Sequence, residues 1–109
     1  MGTSSDKEIR MVAVIFRAKI QFLDEDYQIM AAKMRQLAFD HYGCLDFYAV
    51  TEGDQEVAVS YWPSHEHVKA WHADSEHKQA QRLGRNRWYK EYSVEVTEVV
   101  RQYRAEPKF

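Results

Sequence analysis

What this sequence lacks narrows its function first. It has a single cysteine, Cys44, so no internal disulfide can form, and a reducing compartment such as the cytoplasm is the expected setting. No apolar run approaches the ~20 residues that cross a bilayer, so no membrane partner is expected. The opening MGTSSDKEIR has no apolar segment of the signal-peptide kind. Neither charge sign dominates: 15 basic and 17 acidic residues are interspersed, for a net charge of −2, which argues against the basic footprint of a nucleic-acid binder. Gly-rich phosphate loops, HExxH and GxSxG are all missing, which weighs against nucleotide cofactors, a zincin centre and a serine nucleophile.

What the chain does have is rings. Its 109 residues suffice for one domain with little burial to spare, and 14% of them are aromatic. Some rings must therefore line a cavity, stay half-exposed or pack on a second copy of the chain. They concentrate in Tyr61 to Tyr92, which holds all three Trp, three of the seven Tyr and four of the five His.

Taken in order, residues 1–10 read as a disordered lead-in or tag remnant, 11–104 as a single domain and 105–109 as a tail. Met11 to Ile20 is a β-branched strand, with Val12, Val14, Phe16 and Ala18 on one face and Ala13, Ile15, Arg17 and Lys19 on the other. Both faces begin apolar, so both are expected to be covered, and Arg17 then needs a partner or a ligand. Asp24 or Asp26 can cap a helix from about Tyr27 to His41, stopped by Gly43; its apolar stripe of Tyr27, Met30, Met34, Leu37 and Ala38 reads as scaffold. Cys44 to Thr51 and Gln55 to Trp62 form a hairpin across Glu52-Gly53-Asp54. Ser64 caps a short helical stretch to Trp71, Asp74 caps a second segment from about Ser75 to Trp88, and Glu91 to Tyr103 alternates as a final strand. The order β-α-β-β-α-β predicts an α+β, ferredoxin-like protomer: an antiparallel sheet with both helices on one face, and a second chain as the simplest cover for the other.

On the second helical segment, His77, Gln81, Gly84 and Trp88 share a face, with Arg85 beside it. Arg85 and Arg17 are candidate anchors for an oxyanion. His77 is the best candidate for a general base, the other reading being a core histidine satisfied by a hydrogen bond. Tyr61, Tyr89 and Tyr92 bring hydroxyls that could meet a polar aromatic ligand, whereas Trp71 and Trp88 serve packing whatever else they do. His65 and His67 are two apart, and His67, His72 and His77 five apart; neither spacing converges on one helical face, so no metal site is expected.

YWPS at 61–64, Trp71, HKQAQ at 77–81, GRNRWY at 84–89 and the closing YSVEVTEVVRQY together resemble the antibiotic-biosynthesis monooxygenase family, over nearly all of Met11 to Tyr103. The resemblance implies a homodimeric α+β barrel with one pocket per protomer between sheet and helices. It also implies oxidation of a small electron-rich aromatic or quinone-like molecule by molecular oxygen, without metal, flavin or other cofactor. Trp71, Tyr61 and Arg85 match residue types used there, while the one Asn, Asn86, stands on the second helix. A haem-degrading branch uses a first-strand Asn and a helical His; here Phe16 and Arg17 occupy that stretch of strand and Gln81 the His position, which leaves haem a minor alternative. The expected site is His77, Arg85 and Tyr61 as catalytic groups, with Arg17, Trp71, Gln81, Trp88 and Tyr89 binding substrate. A non-catalytic dimer that binds a small ligand is the other reading.

Overall fold

Four strands and two helices are present in the computed structural model, which describes residues 11–74 and 87–106. They are β1 (Val12–Ile20), α1 (Glu25–Tyr42), β2 (Asp46–Glu52), β3 (Gln55–Trp62), α2 (His65–Ala73) and β4 (Tyr89–Glu98). The strands form one antiparallel sheet in the order β2-β3-β1-β4, the ferredoxin-like arrangement. The lead-in expected over 1–10 and most of the helix expected from Ser75 lie outside the described residues.

Alternation along the strands decides what each face does. Val12 lies opposite Trp62 and Glu98, Val14 opposite Ser60 and Val96, and Phe16 opposite Ala58 and Val94. This parity faces the helices: Val12, Val14 and Trp62 share a core with Ala38 of α1, Val68 of α2 and Cys44. Both helices therefore cover one face of the sheet. Trp62 and Val12 are fully buried, and a buried valine side chain contributes roughly 1.5–3 kcal/mol. The other parity puts Ala13, Ile15 and Arg17 beside Tyr61, Val59 and Val57, with Tyr48 and Val50 at the β2 edge.

Caps explain the helix boundaries. The Asp24 carboxylate accepts the Tyr27 backbone N–H at 2.9 Å, so α1 starts at Glu25, two residues before the expected Tyr27. It ends where Gly43 takes φ 75°, a conformation that disfavours a side chain. A Cβ there would also stand 2.9 Å from the His67 ring. Ser64 caps α2 as expected, accepting from the His67 N–H.

The last strand differs from its expected Glu91–Tyr103 span at both ends. It begins at Tyr89, which pairs with Ile20 across an irregularity at Lys19/Ile20. It ends at Glu98 because the partner strand runs out at Val12; Val99 makes the last bond, to the Met11 carbonyl at 2.9 Å. Among the described residues no helix is long and apolar enough to cross a membrane.

Candidate functional site

Between α1 and the helix-facing side of the sheet lies a cavity of about 400 Å³, within the usual range for small-molecule sites. Val14 and Phe16 of β1, Ala58 and Ser60 of β3, and Val94 and Val96 of β4 form its floor. Tyr27, Met30 and Met34 of α1 form its roof, while Trp71 and His72 of α2 and Trp88 and Tyr89 close its ends. The expectation that α1 is only scaffold is thus corrected: its apolar stripe is also a cavity wall. A wider, more open depression of about 580 Å³ runs beside it along Tyr89–Val94.

One end of the cavity is a packed group of rings. Tyr27 meets Trp88 edge-on, with centroids 5.2 Å apart, and Tyr89 edge-on at 6.1 Å. Phe16 adds contacts of 5.4 Å to Tyr89 and 5.8 Å to Tyr92. Edge-to-face contacts fix the ring planes and so define a rigid wall. At the other end Trp71 lies 4.9 Å from the buried Trp62, whose indole N–H donates to Ser60 Oγ at 2.8 Å.

Gln28 and Arg35 of α1, Ser60 of β3 and His72 of α2 add polar groups to the wall, and at the Tyr27 end three more form a connected set. Tyr89 donates its hydroxyl to Tyr27 at 3.4 Å, and Tyr27 donates in turn to Glu56 Oε1. Burial pushes the Glu56 carboxyl above its ordinary value, and the Tyr27 hydrogen bond only partly offsets that. Burial, with the bond to Glu56, raises the Tyr27 phenol strongly, and burial pushes Tyr89 up to about 12. Both tyrosines thus stay protonated as donors while Glu56 is the acceptor. Behind this group, Asp24 holds α1 to the start of β4: it accepts the Trp88 indole N–H at 3.1 Å and the Arg87 guanidinium. Burial opposes the charged Asp24 form, but the Tyr27 N–H, Arg87 and Trp88 outweigh it and hold the pKa below its usual value. Cys44 is buried, and burial pushes its thiol pKa up, away from nucleophile chemistry.

Of the expected site residues, Trp71, Trp88 and Tyr89 line the cavity. Arg17 and Tyr61 do not: both stand on the opposite parity and emerge on the outer face of the sheet. There Arg17 pairs with Glu95 at 3.7 Å and stays 60% exposed. Placing them in the pocket is corrected by the packing of the helices on the Val12–Val14–Phe16 face, which the two-sided apolar start of β1 did not reveal. His77, Gln81 and Arg85 lie outside the described residues. Sequence reasoning missed Glu56 and the role of Tyr27. A signal existed: Glu56 shares the parity of Ala58, Ser60 and Trp62, so it is a charge on the buried side of β3.

Comparison with known proteins agrees with this architecture. No family model matches the chain. Among solved structures, SnoaB, a cofactor-independent oxygenase from Streptomyces nogalater, superposes with a TM-score of 0.74 at 14% identity, over 89% of this chain and 99% of that one. A candidate antibiotic biosynthesis monooxygenase from Caulobacter crescentus gives 0.71 at 14% identity, over 90% and 98%. At such identities the likeness is one of fold, and it supports the resemblance drawn from the sequence at that level. The uncharacterized protein YqjZ of Bacillus subtilis is 38% identical over 91 residues, 83% of this chain and 80% of YqjZ. The chain therefore belongs to the family of YqjZ, built on the fold shared by the antibiotic-biosynthesis monooxygenases.

Proposed function

We propose that this protein is a cofactor-independent monooxygenase acting on a small electron-rich aromatic molecule of the hydroquinone or anthrone type. The observation that carries the reading is the cavity under α1: about 400 Å³, walled by Phe16, Met30, Met34, Trp71 and Trp88, with the hydrogen-bonded set of Tyr27, Tyr89 and Glu56 at one end. Such a site takes a flat apolar ring system and directs its hydroxyl to one end. Removing a proton from a phenol or enol makes the ring electron-rich enough to react with molecular oxygen. One oxygen atom then enters the substrate and the other leaves as water. Arg85 remains part of the proposal as an oxyanion anchor, and His77 as an alternative proton acceptor.

The proposal includes a homodimer. Ile15, Tyr48, Val50, Val57 and Val59 give the outer sheet face an apolar character, with Tyr48 58% and Val50 67% exposed, and a second sheet would cover them. Light scattering is expected to give twice the monomer mass, reduced to one by Val50→Asp; a wild-type monomer would refute the barrel.

Oxygen uptake with a panel of hydroquinones and anthrones tests the activity. Turnover above buffer is expected, and Ala58→Trp, which fills the cavity floor, should abolish it. A wild type that consumes no oxygen with any of them, while binding them tightly by thermal shift, would favour the non-catalytic ligand binder.

A further inference from the structure

We infer that Glu56 is the catalytic base of this site, taking the proton from the substrate hydroxyl while Tyr27, held by Tyr89, fixes the carboxylate in place. The inference rests on the oxygenase reading above and assigns its first step to a named atom group. Glu56 is half-buried on the helix-facing parity of β3, where its register neighbours Ala18 of β1 and Thr51 of β2 offer it no counter-charge. A carboxylate at such a place costs free energy unless a hydrogen bond or a function holds it there. Tyr27 engages Oε1, and a carboxylate has a second oxygen with which to meet a substrate hydroxyl. The titratable and charged groups that share the cavity with it are Tyr27 and Arg35 of α1, Tyr89 of β4 and His72 of α2, with Tyr92 packed beside Tyr89; Arg35 donates to the Phe47 carbonyl at 3.4 Å. Tyr27 and Tyr89 keep their protons, which leaves Glu56 as the acceptor of the relay, and its raised pKa strengthens it as a base.

In the step itself, the substrate O–H bond breaks, an O–H bond forms on the Glu56 carboxylate, and the negative charge passes to the substrate oxygen and its ring. The proton on Glu56 is then in place to protonate the peroxide anion that oxygen addition creates.

The test measures kcat/KM against pH for oxygen consumption with dithranol, alongside dithranol affinity by tryptophan quenching under argon. Wild type should lose activity on acidification, with a midpoint above that of an ordinary glutamate. Glu56→Gln should bind dithranol within a few-fold of wild type, turn over about a hundredfold or more slower, and lose the acid limb. Glu56→Asp should recover part of the rate together with the limb. Tyr27→Phe keeps the base but removes the bond that favours its charged form, so its acid limb should move to higher pH; this reading holds even if Glu56→Gln fails to fold. A Glu56→Gln rate within threefold of wild type with the acid limb retained overturns the assignment and leaves the oxygenase reading standing. An unmoved limb in Tyr27→Phe overturns it too. A wild type that binds dithranol without consuming oxygen overturns both.

Discussion

Removing the Tyr27 hydroxyl tests the physical account of the Tyr27–Glu56 pair without any substrate. Hydrogen bonds to charged acceptors contribute roughly 1.5–3 kcal/mol, and the half-buried Glu56 retains some access to water, so the lower end applies. Tyr27→Phe should therefore cost about 1.5 kcal/mol at about pH 8, a fall of roughly 6–12 °C in Tm for a chain of this length. The sign of the pH dependence follows from Glu56. Its folded pKa is raised above the unfolded value of 4.5, so its contribution favours folding below that value and is lost as pH rises through the folded pKa. Tyr27 limits this loss, because its bond favours the charged form. The Tyr27→Phe penalty should accordingly be largest near pH 8 and shrink towards pH 4. Glu56→Gln, which removes the buried charge and keeps an acceptor for Tyr27, should match or exceed wild type near pH 8 and lose that advantage near pH 4. Thermal melts followed by circular dichroism at the two pH values decide the matter. A Tyr27→Phe penalty independent of pH, or a Glu56→Gln variant clearly less stable than wild type near pH 8, would refute the reasoning.

Three further substitutions probe the scaffold. Trp62→Ala removes a fully buried ring and leaves Ser60 without the indole N–H; urea denaturation should show a loss of roughly 3–5 kcal/mol, and a loss near 1 would mean the core is less tightly built than described. Gly43→Ala places a Cβ at φ 75° and 2.9 Å from the His67 ring, so it should cost about 1 kcal/mol or more in the same assay, whereas Gly53→Ala, with φ 63° but open space around it, should cost less.

The sequence made the fold legible because strand alternation, the Asp24 and Ser64 caps and the Gly43 stop are local signals. Boundaries shifted where a signal was not local: β4 stops at Glu98 because β1 begins at Val12, a fact of register. The site was harder to read. Alternation separates Arg17 from Val14 and Phe16, and Tyr61 from Ser60 and Trp62, but does not say which set the helices cover. Apolar residues such as Ile15 and Val59 on the other parity made the two faces look alike. Glu56 went unnoticed for the complementary reason, since a charged residue in a strand reads as solvent-facing until the parity is fixed. Its link to Tyr27, 29 positions earlier in the chain, exists only once α1 lies across the sheet.

That the space beneath α1 is where an aromatic substrate binds is the central claim, and methionine methyl NMR tests it most directly. The chain has four methionines, of which Met30 and Met34 line the cavity. Titrating dithranol under argon into protein with methyl-labelled methionine should shift the Met30 and Met34 signals by ring-current effects. Met11 should stay in place. Saturable movement of Met11 alone, or of none of the four while dithranol is shown to bind, would contradict the account.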